Sequence, residues 1–410
     1  MEKKVKNKCI KSLKENGPPI IIFAALFEAE AIANACRNNG INVIAYCDSE
    51  KRKSKDLFCG LEVIHTPTLP SRFPEARFII ATQHIQDVVE QLTGLGYDSF
   101  YSALELFESY EVGKHKHHVS SSFMESRIEV YKKSYEAYFD EEKTYMRSLD
   151  LMITTKCSLK CKSCSNLMQY YVEPKNSDYN NIIDALEVIS QNVDDISEFR
   201  VIGGEPLMNK EWSSIVNGIL NKYRNRKVLI YTNGTIMPKD DHLESFKNKD
   251  VNFIITSYGK LSRNIDKLTQ KLISYGITYV SKPAEHWIDC SSIRHHKRKI
   301  SDLEEVFKQC CVKYVYTLLQ GKLYRCPFIA NADNLNAIPD NPANYVDLFS
   351  NKDNIKQQIR RLIKVAKFFP ACDFCDGRPY DPSSSKGYDG RGMIEPGIQT
   401  SEPLPYNLQK

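Results

Sequence analysis

The 410-residue sequence has no long hydrophobic run. Its longest apolar stretch near the N-terminus, Ile20 to Leu26, is too short to cross a bilayer, and a charged segment broken by prolines precedes it. We therefore predict a strand there, no signal peptide and no membrane span. A marked excess of one charge is missing as well, because a net charge of +5 is too small to indicate nucleic acid as a partner.

The composition is that of an ordinary soluble globular protein, with 42% hydrophobic and 26% charged residues, and the length predicts two to three domains. What the sequence has in abundance is cysteine. Thirteen cysteines in a chain without an export signal indicate a reducing compartment and metal ligation rather than disulfides. We therefore expect a cytoplasmic protein.

Three cysteines, Cys157, Cys161 and Cys164, have the spacing CxxxCxxC. Three thiolates can bind three irons of a cubane iron–sulfur cluster and leave the fourth iron open. An open coordination position distinguishes a catalytic metal centre from a closed structural one. A zinc site, which also uses closely spaced cysteines, is the alternative.

Two further motifs follow predicted strands. The cysteine motif comes after the apolar run 149–154, a second strand over 199–202 leads into Gly203-Gly204-Glu205-Pro206, and a third over 228–231 leads into Thr232-Asn233-Gly234-Thr235. In βα-barrel enzymes the chemistry lies at the C-terminal ends of the strands. We therefore expect the three motifs to meet in one site.

These motifs, in this order, resemble those of the radical S-adenosylmethionine (radical SAM) enzymes. The resemblance implies that the three cysteines hold a [4Fe–4S] cluster whose open iron chelates SAM. It also implies that the GGEP motif binds SAM, with the Glu205 carboxylate accepting from its ammonium group, and that Thr232-Asn233-Gly234 contacts its ribose and carboxylate. Such an enzyme forms a 5′-deoxyadenosyl radical and needs an electron donor such as flavodoxin or ferredoxin. One departure is Ser163, where many members have an aromatic residue, and it affects the packing of adenine.

A second set of cysteines lies near the C-terminus and consists of Cys310, Cys311, Cys326, Cys372 and Cys375. The segment 314–325 predicts a β-hairpin turning at Gln320-Gly321, which would bring its flanking cysteines together. The pattern resembles the twitch domain, the shorter form of the SPASM domain. The resemblance implies a second [4Fe–4S] cluster on Cys311, Cys326, Cys372 and Cys375. Cys310 could replace Cys311 as the ligand, and a Cys₄ zinc ribbon is the alternative to a cluster.

Residues 19–110 alternate between strand and helix patterns, which predicts a parallel doubly wound sheet. The patterns 21–23 and 42–48 resemble small Rossmann-like domains of bacterial surface-glycan enzymes, with Asp48 at the position of the ribose-binding carboxylate. The glycine fingerprint is missing from the turn Ala24 to Ala29, so we favour a docking or scaffold role over nucleotide binding. We interpret the histidine-lysine run 114–118 as a solvated linker, with metal binding as the alternative.

We thus predict an α/β protein of five parts. They are a Rossmann-like doubly wound domain with a degenerate glycine loop over 1–112, a linker and helix over 113–148, a partial (βα) radical SAM barrel over 149–290, a twitch-type auxiliary cluster domain over 291–380 and an extended tail over 381–410.

Substrate contacts are expected between the two cysteine sets. Trp287 is a candidate wall, Asp289 a candidate ligand for a hydroxyl group, and the basic run from Arg294 a candidate phosphate site, with a solvated basic turn as the alternative. We predict a carbohydrate substrate, nucleotide-activated or lipid-linked. Peptide or protein modification is the alternative, and a non-catalytic iron–sulfur or zinc scaffold is disfavoured because it does not need GGEP.

Two outcomes of hydrogen abstraction remain open, oxidation of a sugar hydroxyl carbon and its epimerisation. Epimerisation needs a thiol that returns a hydrogen atom, and Cys290 and Cys310 are the candidate donors. Neither is compelling, because a buried cysteine is usually an inert small hydrophobe. We therefore favour oxidation slightly.

Overall fold

A computed structural model describes residues 4–49, 57–285, 287–350, 354–379 and 393–401. The chain divides into two compact units, residues 1–145 and 146–410, and each has its own hydrophobic core. Most of the predicted tail over 381–410 lies outside the described residues, which include only 393–401 of it. Within the described ranges, no helix combines the length and the apolar character that a membrane crossing requires.

The sheet of the first unit is parallel except at one edge. Its order is β1-β7-β6-β2-β3-β5-β4, and only the pair β4–β5 is antiparallel. The strands are β1 (Val5–Lys6), β2 (Ile20–Phe23), β3 (Val43–Asp48), β4 (Leu57–Phe58), β5 (Leu61–His65), β6 (Arg77–Ile80) and β7 (Phe100–Tyr101). All four residues of β2 are buried, as expected for a central strand of a parallel sheet with both faces covered.

Helices alternate with these strands, as the sequence predicts. They are α1 (Ile10–Lys14), α2 (Phe27–Asn38), α3 (Leu69–Arg72), α4 (Ile85–Gly94), α5 (Leu104–Glu108) and α6 (Ser121–Phe139). The helix expected within 113–148 begins at Ser121, where the Ser120 hydroxyl accepts from the Phe123 amide as an N-cap, and it ends at Phe139. Tyr131 and Tyr135 on α6 belong to the core of the first unit, so this helix is part of that unit.

The turn that lacks the glycine fingerprint is closed by the protein itself. Ala24 has a left-handed backbone, with φ of 84°. The next amide, that of Ala25, donates to the Asp48 carboxylate at 3.0 Å. The carboxylate expected at the ribose position therefore binds the amide that, in a dinucleotide-binding turn, would face the ligand.

The second unit is built on an eight-stranded sheet in the order β12-β11-β10-β9-β8-β14-β15-β16. Its strands are β8 (Tyr145–Met152), β9 (Asp195–Ile202), β10 (Lys227–Thr232), β11 (Val251–Ser257), β12 (Thr278–Pro283), β14 (Tyr316–Leu319), β15 (Lys322–Tyr324) and β16 (Tyr345–Asp347). The strands β9 to β12 pair in parallel, and β14 pairs in parallel with β8. The edges β12 and β16 do not pair with each other in the described part of the chain, so the expected barrel is open there.

Helices of the second unit include α7, whose buried residues Ile182, Ala185, Leu186 and Ile189 have helical spacing and whose N-cap is Asp178. The helices are α7 (Tyr179–Asn192), α8 (Trp212–Lys222), α9 (Asp240–Glu244), α10 (Ile265–Ser274), α11 (Ile300–Gln309), α12 (Pro327–Asn334) and α13 (Ile355–Arg360).

The hairpin predicted between the cysteines of the second set is present. It turns at Gln320 and Gly321, whose φ angles of 51° and 75° suit a tight two-residue turn between antiparallel strands. Its first strand, β14, joins the same sheet as the strand that precedes CxxxCxxC. The two cysteine sets are therefore attached to neighbouring strands.

Candidate active site

The three sequence motifs lie at the C-terminal ends of the adjacent strands β8, β9 and β10. The cysteine loop after β8 holds Cys157, Cys161 and Cys164. Burial raises the pKa of each of these thiols, for Cys161 to about 11, and neighbouring thiols of the set add to the shift of Cys157 and Cys161. These thiols are therefore protonated at neutral pH without a bound metal, and metal binding has to displace their protons.

The spacing of the thiols suits a cluster better than one metal ion. Within the described residues, neither cysteine set contains three sulfur atoms that all lie within 4.8 Å of one another. Four ligands of a tetrahedral zinc ion with bonds of about 2.3 Å would stand about 3.8 Å apart. A cubane places each thiolate on a different iron and so requires wider spacing. The three thiols of the first set lie close enough to affect one another's pKa, and three thiolates are a donor set that fits an iron–sulfur cluster.

The glycines of the GGEP motif pack against the cysteine loop. A Cβ added to Gly203 would lie 2.4 Å from the Thr154 carbonyl oxygen, and one added to Gly204 would lie 2.3 Å from that of Lys156. The Gly204 amide donates to Thr154 at 3.0 Å. These glycines belong to the motif for which the resemblance implies SAM binding, and that binding stays a prediction. In the structure they admit the backbone that leads into the cysteine loop.

Glu205 connects the second motif to the third. It is fully buried, and its carboxylate accepts from the Asn233 amide at 2.8 Å, the Thr232 hydroxyl at 2.9 Å and the Leu207 amide at 3.3 Å. Burial raises its pKa to about 7, against the effect of these donors. The predicted contact with an ammonium group would have to compete with these internal bonds. In the structure the side chain links the ends of β9 and β10 by hydrogen bonds.

Asn233 extends this bracing to the cysteine loop. Its side-chain amide donates to the Ser158 hydroxyl at 3.1 Å and to the Cys157 sulfur at 3.8 Å. The backbone carbonyl of Asn233 accepts from the Ser262 hydroxyl at 2.6 Å. Gly234 follows with φ of 70°, a backbone that favours glycine. The third motif therefore holds the position of the first cysteine.

Tyr258 is a site residue that the sequence reasoning missed. It comes directly after β11, and its pKa is raised by burial and by the nearby thiols of Cys161, Cys164 and Cys157. Its ring packs edge-on against Trp287, with centroids 5.8 Å apart. The sequence feature that could have indicated it is its position directly after β11, the fourth strand after β8, β9 and β10.

Residues 398–400, in the predicted tail, pair with the cysteine loop. The Lys162 amide donates to the Ile398 carbonyl at 2.6 Å, and the Thr400 amide donates to the Lys160 carbonyl at 2.7 Å. Gln399 accepts from the Lys160 amide at 2.7 Å and donates to the Cys161 sulfur at 3.3 Å. A short strand upstream, β17 (Met393–Ile394), pairs with β13 (Trp287–Ile288). Nothing in the sequence pointed to these contacts.

The second cysteine set lines a cavity. Four of its members, Cys310, Cys326, Cys372 and Cys375, are among the lining residues, whereas Cys311 is not. The choice of Cys311 over Cys310 as the ligand stays a prediction, although Cys310 is the one of the two that lines the cavity. The physical reason is that Cys310 ends helix α11 and faces the cavity, while the Cys311 amide donates to the Arg378 carbonyl at 2.7 Å.

Arg378 is one of three cationic residues that line this cavity, with Lys313 and Arg325, and was also missed. It is 3% exposed, and its guanidinium group lowers the pKa of Cys326 and Cys375 against the effect of burial. It lies 5.4 Å from the Phe328 ring centre and donates to the Ser165 carbonyl at 2.9 Å, next to Cys164. One buried cation thus connects the second cysteine set to the loop of the first.

The basic run, a candidate phosphate site in the sequence, contacts the CxxC loop in the structure. Arg294 pairs with Asp376 at 3.0 Å and His295 with Asp373 at 2.9 Å. Arg298 donates to the carbonyl groups of Cys372 and Cys375 at 3.1 and 2.8 Å. The Arg294 side chain is 48% exposed but already has an anionic partner, so substrate contact by this residue remains a prediction.

The segment 287–290 runs between the two cysteine sets. Trp287 contacts Tyr258, the Asp289 carboxylate accepts from the Ser163 hydroxyl, and Cys290 lies near Cys375. Burial raises the pKa of Cys290 to about 12. Of the two candidate hydrogen donors, Cys310 lines the cavity with three other cysteines, which leaves Cys290 as the spare thiol.

Comparison with known proteins agrees with this reading of the core. Residues 151–279 match the family model described as Radical SAM superfamily. The GTP 3′,8-cyclase of Synechocystis sp. is 27% identical over 110 residues, which are 26% of this chain and 31% of that enzyme. The GTP 3′,8-cyclase of Clostridium acetobutylicum is 30% identical over 95 residues, 22% of this chain and 28% of that enzyme. The chain thus spans less than a third of the length of these two relatives.

Solved structures to which the chain is similar include BtrN in complex with AdoMet and 2-DOIA. The TM-score is 0.36 at 15% identity, and the match covers 57% of this chain and 94% of that one. Streptococcus suis SuiB bound to precursor peptide SuiA has a TM-score of 0.32 and 10% identity, and covers 67% of this chain and 79% of that one. Residues 151–279 of the second unit, with CxxxCxxC at the end of the first strand, are a radical SAM superfamily domain.

Proposed function

We propose that the chain is a radical SAM enzyme with an auxiliary cluster, acting on a carbohydrate-type substrate by oxidising or inverting a hydroxyl-bearing carbon. The observation that carries the proposal is the cysteine loop braced by the two strand-end motifs, inside the residues that match the radical SAM family. The second cysteine set beside it supports an auxiliary redox centre.

Cys157, Cys161 and Cys164 would hold the first [4Fe–4S] cluster. When bound, this cluster with SAM supplies a 5′-deoxyadenosyl radical that abstracts a hydrogen atom from the substrate. Glu205 and Asn233 fix the strand ends around the loop, while Tyr258 and Trp287 form an aromatic wall beside it. This wall would keep water away from a substrate bound beside the loop, and Asp289 is a candidate acceptor for a substrate hydroxyl group in exchange for Ser163.

Cys310, Cys326, Cys372 and Cys375 would hold the second cluster, and Arg378 offsets part of the negative charge of their thiolates. When bound, such a cluster supplies an acceptor for the electron that a substrate radical loses on oxidation. This supports oxidation as the preferred outcome. Inversion would instead need a hydrogen atom from a thiol, and Cys290 is the candidate donor.

The first unit is, in our proposal, a Rossmann-like docking module. Its five central parallel strands follow the order 3-2-1-4-5, which is that of the doubly wound nucleotide-binding folds. The bond from Ala25 to Asp48 occupies the turn that would hold a pyrophosphate, which supports docking rather than nucleotide binding.

The test is substrate-dependent formation of 5′-deoxyadenosine by the anaerobically reconstituted, reduced protein. Nucleotide sugars should increase its rate above the background without substrate, and a substrate deuterated at the reacting carbon should transfer deuterium into 5′-deoxyadenosine. GTP and a glycine-rich peptide serve as comparison substrates, because the matched relatives are GTP 3′,8-cyclases and because peptide modification is the alternative. Stimulation by GTP or the peptide alone would overturn the carbohydrate assignment.

The outcome of the reaction is read in D₂O. Oxidation gives a carbonyl product without solvent deuterium at the reacting carbon. Inversion gives a product that carries solvent deuterium, and the Cys290→Ala variant should then lose it while still forming 5′-deoxyadenosine. Cys47→Ala, which replaces a buried cysteine of the first unit, is the matched control and should retain the wild-type outcome.

A further inference from the structure

The first unit contains a cluster of potential metal ligands that the proposed function does not use. Ligand atoms of Glu30, Cys59 and His118 all lie within 4.8 Å of one another. Glu30 is in the first turn of α2, Cys59 is in the turn between β4 and β5, and His118 is in the histidine run before α6. Three segments that are distant in sequence thus converge at one point.

A neighbouring histidine supplies a second, independent observation. The side chain of His117 is 1% exposed, and its Nδ1 has no hydrogen-bond partner. Its Nε2 lies 3.2 Å from the Val112 carbonyl oxygen and 2.9 Å from the Tyr110 hydroxyl. In the neutral tautomer that donates to the Val112 carbonyl, Nε2 carries the proton, the Tyr110 hydroxyl accepts, and Nδ1 presents a lone pair.

This lone pair faces a carboxylate. His117 Nδ1 lies 3.9 Å from Glu30 Oε2, and the Glu30 side chain is 7% exposed. Glu30 Oε2 already accepts from the His118 backbone amide at 3.1 Å, so the buried atom without a partner is His117 Nδ1. A buried acceptor without a donor is costly, and a cation between it and the carboxylate removes the cost. His118 approaches from the other side, with Nδ1 at 2.9 Å from Glu30 Oε1, and its ring stacks on Phe58 with an interplanar angle of 18°.

We propose that the first unit binds one zinc ion through Cys59, His118 and Glu30, and that His117 Nδ1, which lies 3.9 Å from Glu30 Oε2 outside the group of three, moves in as the fourth ligand. A thiolate, two imidazoles and a carboxylate are a ligand set that zinc uses, at tetrahedral spacing of about 3.3–3.8 Å. A thiolate and a carboxylate together balance the charge of the ion. With all four positions taken by protein the site is closed, so its role is structural: it ties α2 to the β4–β5 turn and to the segment that enters α6.

The test measures zinc in the full-length protein after iron reconstitution and removal of loosely bound metal. We expect one zinc per chain in the wild type, and its loss in Cys59→Ser, His117→Ala and His118→Ala. The matched controls are His115→Ala, from the same histidine run, and Cys36→Ala, a buried cysteine of the same unit, and both should retain zinc. Affinity for Co²⁺ should fall by more than the roughly 10- to 100-fold that loss of an outer-shell partner costs.

Zinc at the Cys59 site and zinc bound in the iron–sulfur sites are distinguished by which cysteine variant loses the metal. Retention of zinc in Cys59→Ser, with loss in Cys157→Ala or Cys310→Ala, would overturn the proposal. The Co²⁺-loaded protein should show a sulfur-to-cobalt absorption band that depends on Cys59. Absence of this band would also overturn the proposal, and it is the result expected if Glu30 and His117 form only an ion pair. A measurement on unaltered protein removes any question of misfolding: zinc should slow alkylation of Cys59 at least tenfold, and equal rates with and without zinc would also overturn the proposal.

Discussion

Glu205 illustrates how a single buried carboxylate organises the site. Its three donors come from its own turn and from the end of the neighbouring strand, so it connects two motifs that are separated by 27 residues. The resemblance to radical SAM enzymes implied a direct contact with SAM, but burial and internal bonding could not be deduced from the motif. Which neighbours surround a side chain depends on tertiary packing, and a motif does not encode it.

The raised pKa of Glu205 predicts a pH dependence of stability. Between its usual pKa of 4.5 and about 7, the folded chain keeps a proton that the unfolded chain has lost, so the stabilisation is complete below pH 4.5 and falls as pH rises to 7. The wild-type second unit should lose about 3 kcal/mol of unfolding free energy across this window, and Glu205→Gln should lose less.

Urea unfolding at several pH values, followed by tryptophan fluorescence, measures this effect, because both tryptophans are in the second unit. Glu244→Gln, at an exposed residue of that unit, is the control and should retain the wild-type slope. An identical slope in Glu205→Gln would contradict the prediction.

Gln399 makes a second prediction at the scale of one residue. Its amide donates to the Cys161 sulfur, and hydrogen bonds to ligand sulfurs raise the reduction potential of a cluster by stabilising the added electron. Gln399→Glu keeps the shape but removes the donor, so the potential of the first cluster should become more negative in a titration followed by electron paramagnetic resonance. Thr400→Ala, which keeps the backbone bond to Lys160, should leave the potential unchanged.

At the scale of elements, the end of α11 places Cys310 rather than Cys311 in the cavity lining, so we expect Cys310 to be the ligand of the proposed second cluster. Cys310→Ala should reduce the iron content of the reconstituted protein from about eight to about four, whereas Cys311→Ala should retain about eight. The reverse result would restore Cys311 as the ligand. A wild-type content near four irons with one zinc that depends on Cys310 would indicate a zinc ribbon.

The contact between the GGEP motif and the cysteine loop gives a further prediction. In Gly204→Ala the new Cβ would meet the Lys156 carbonyl at 2.3 Å, so the loop must move. We expect destabilisation of about 1–3 kcal/mol, the usual cost of overpacking, together with loss of iron from the first set. Gly94→Ala, where a Cβ meets nothing within 4 Å, should bind the full amount of iron.

Regular elements were predictable and their side-chain directions were not. Hydrophobic periodicity and turn chemistry located β2, α2, β9, β10 and the Gln320-Gly321 hairpin. The choice between two adjacent cysteines at the end of a helix depends on the direction of each side chain, which no periodicity specifies. In the same way, the composition of the histidine run indicated a solvated linker, although His117 is buried.

At the scale of the whole molecule, the segment 393–401 completes the second unit by contacts of high sequence separation. Removing residues 393–410 should expose the amides of Lys160 and Lys162, which donate to Gln399 and Ile398. Hydrogen exchange of these amides should become faster, and the first cluster should lose iron more rapidly in air. Exchange that is unchanged would mean that the segment does not hold the loop.

The pairing of residue 399 with residue 160 also orders events during synthesis. A ribosome adds about 5–20 residues per second, so the cysteine loop emerges roughly 10–50 s before its last partner exists. During that interval the strands next to the loop can form, while the loop still lacks its contacts with residues 398–400. The chain therefore provides its own period of access for iron delivery, and closure of the site waits for translation rather than for a separate signal.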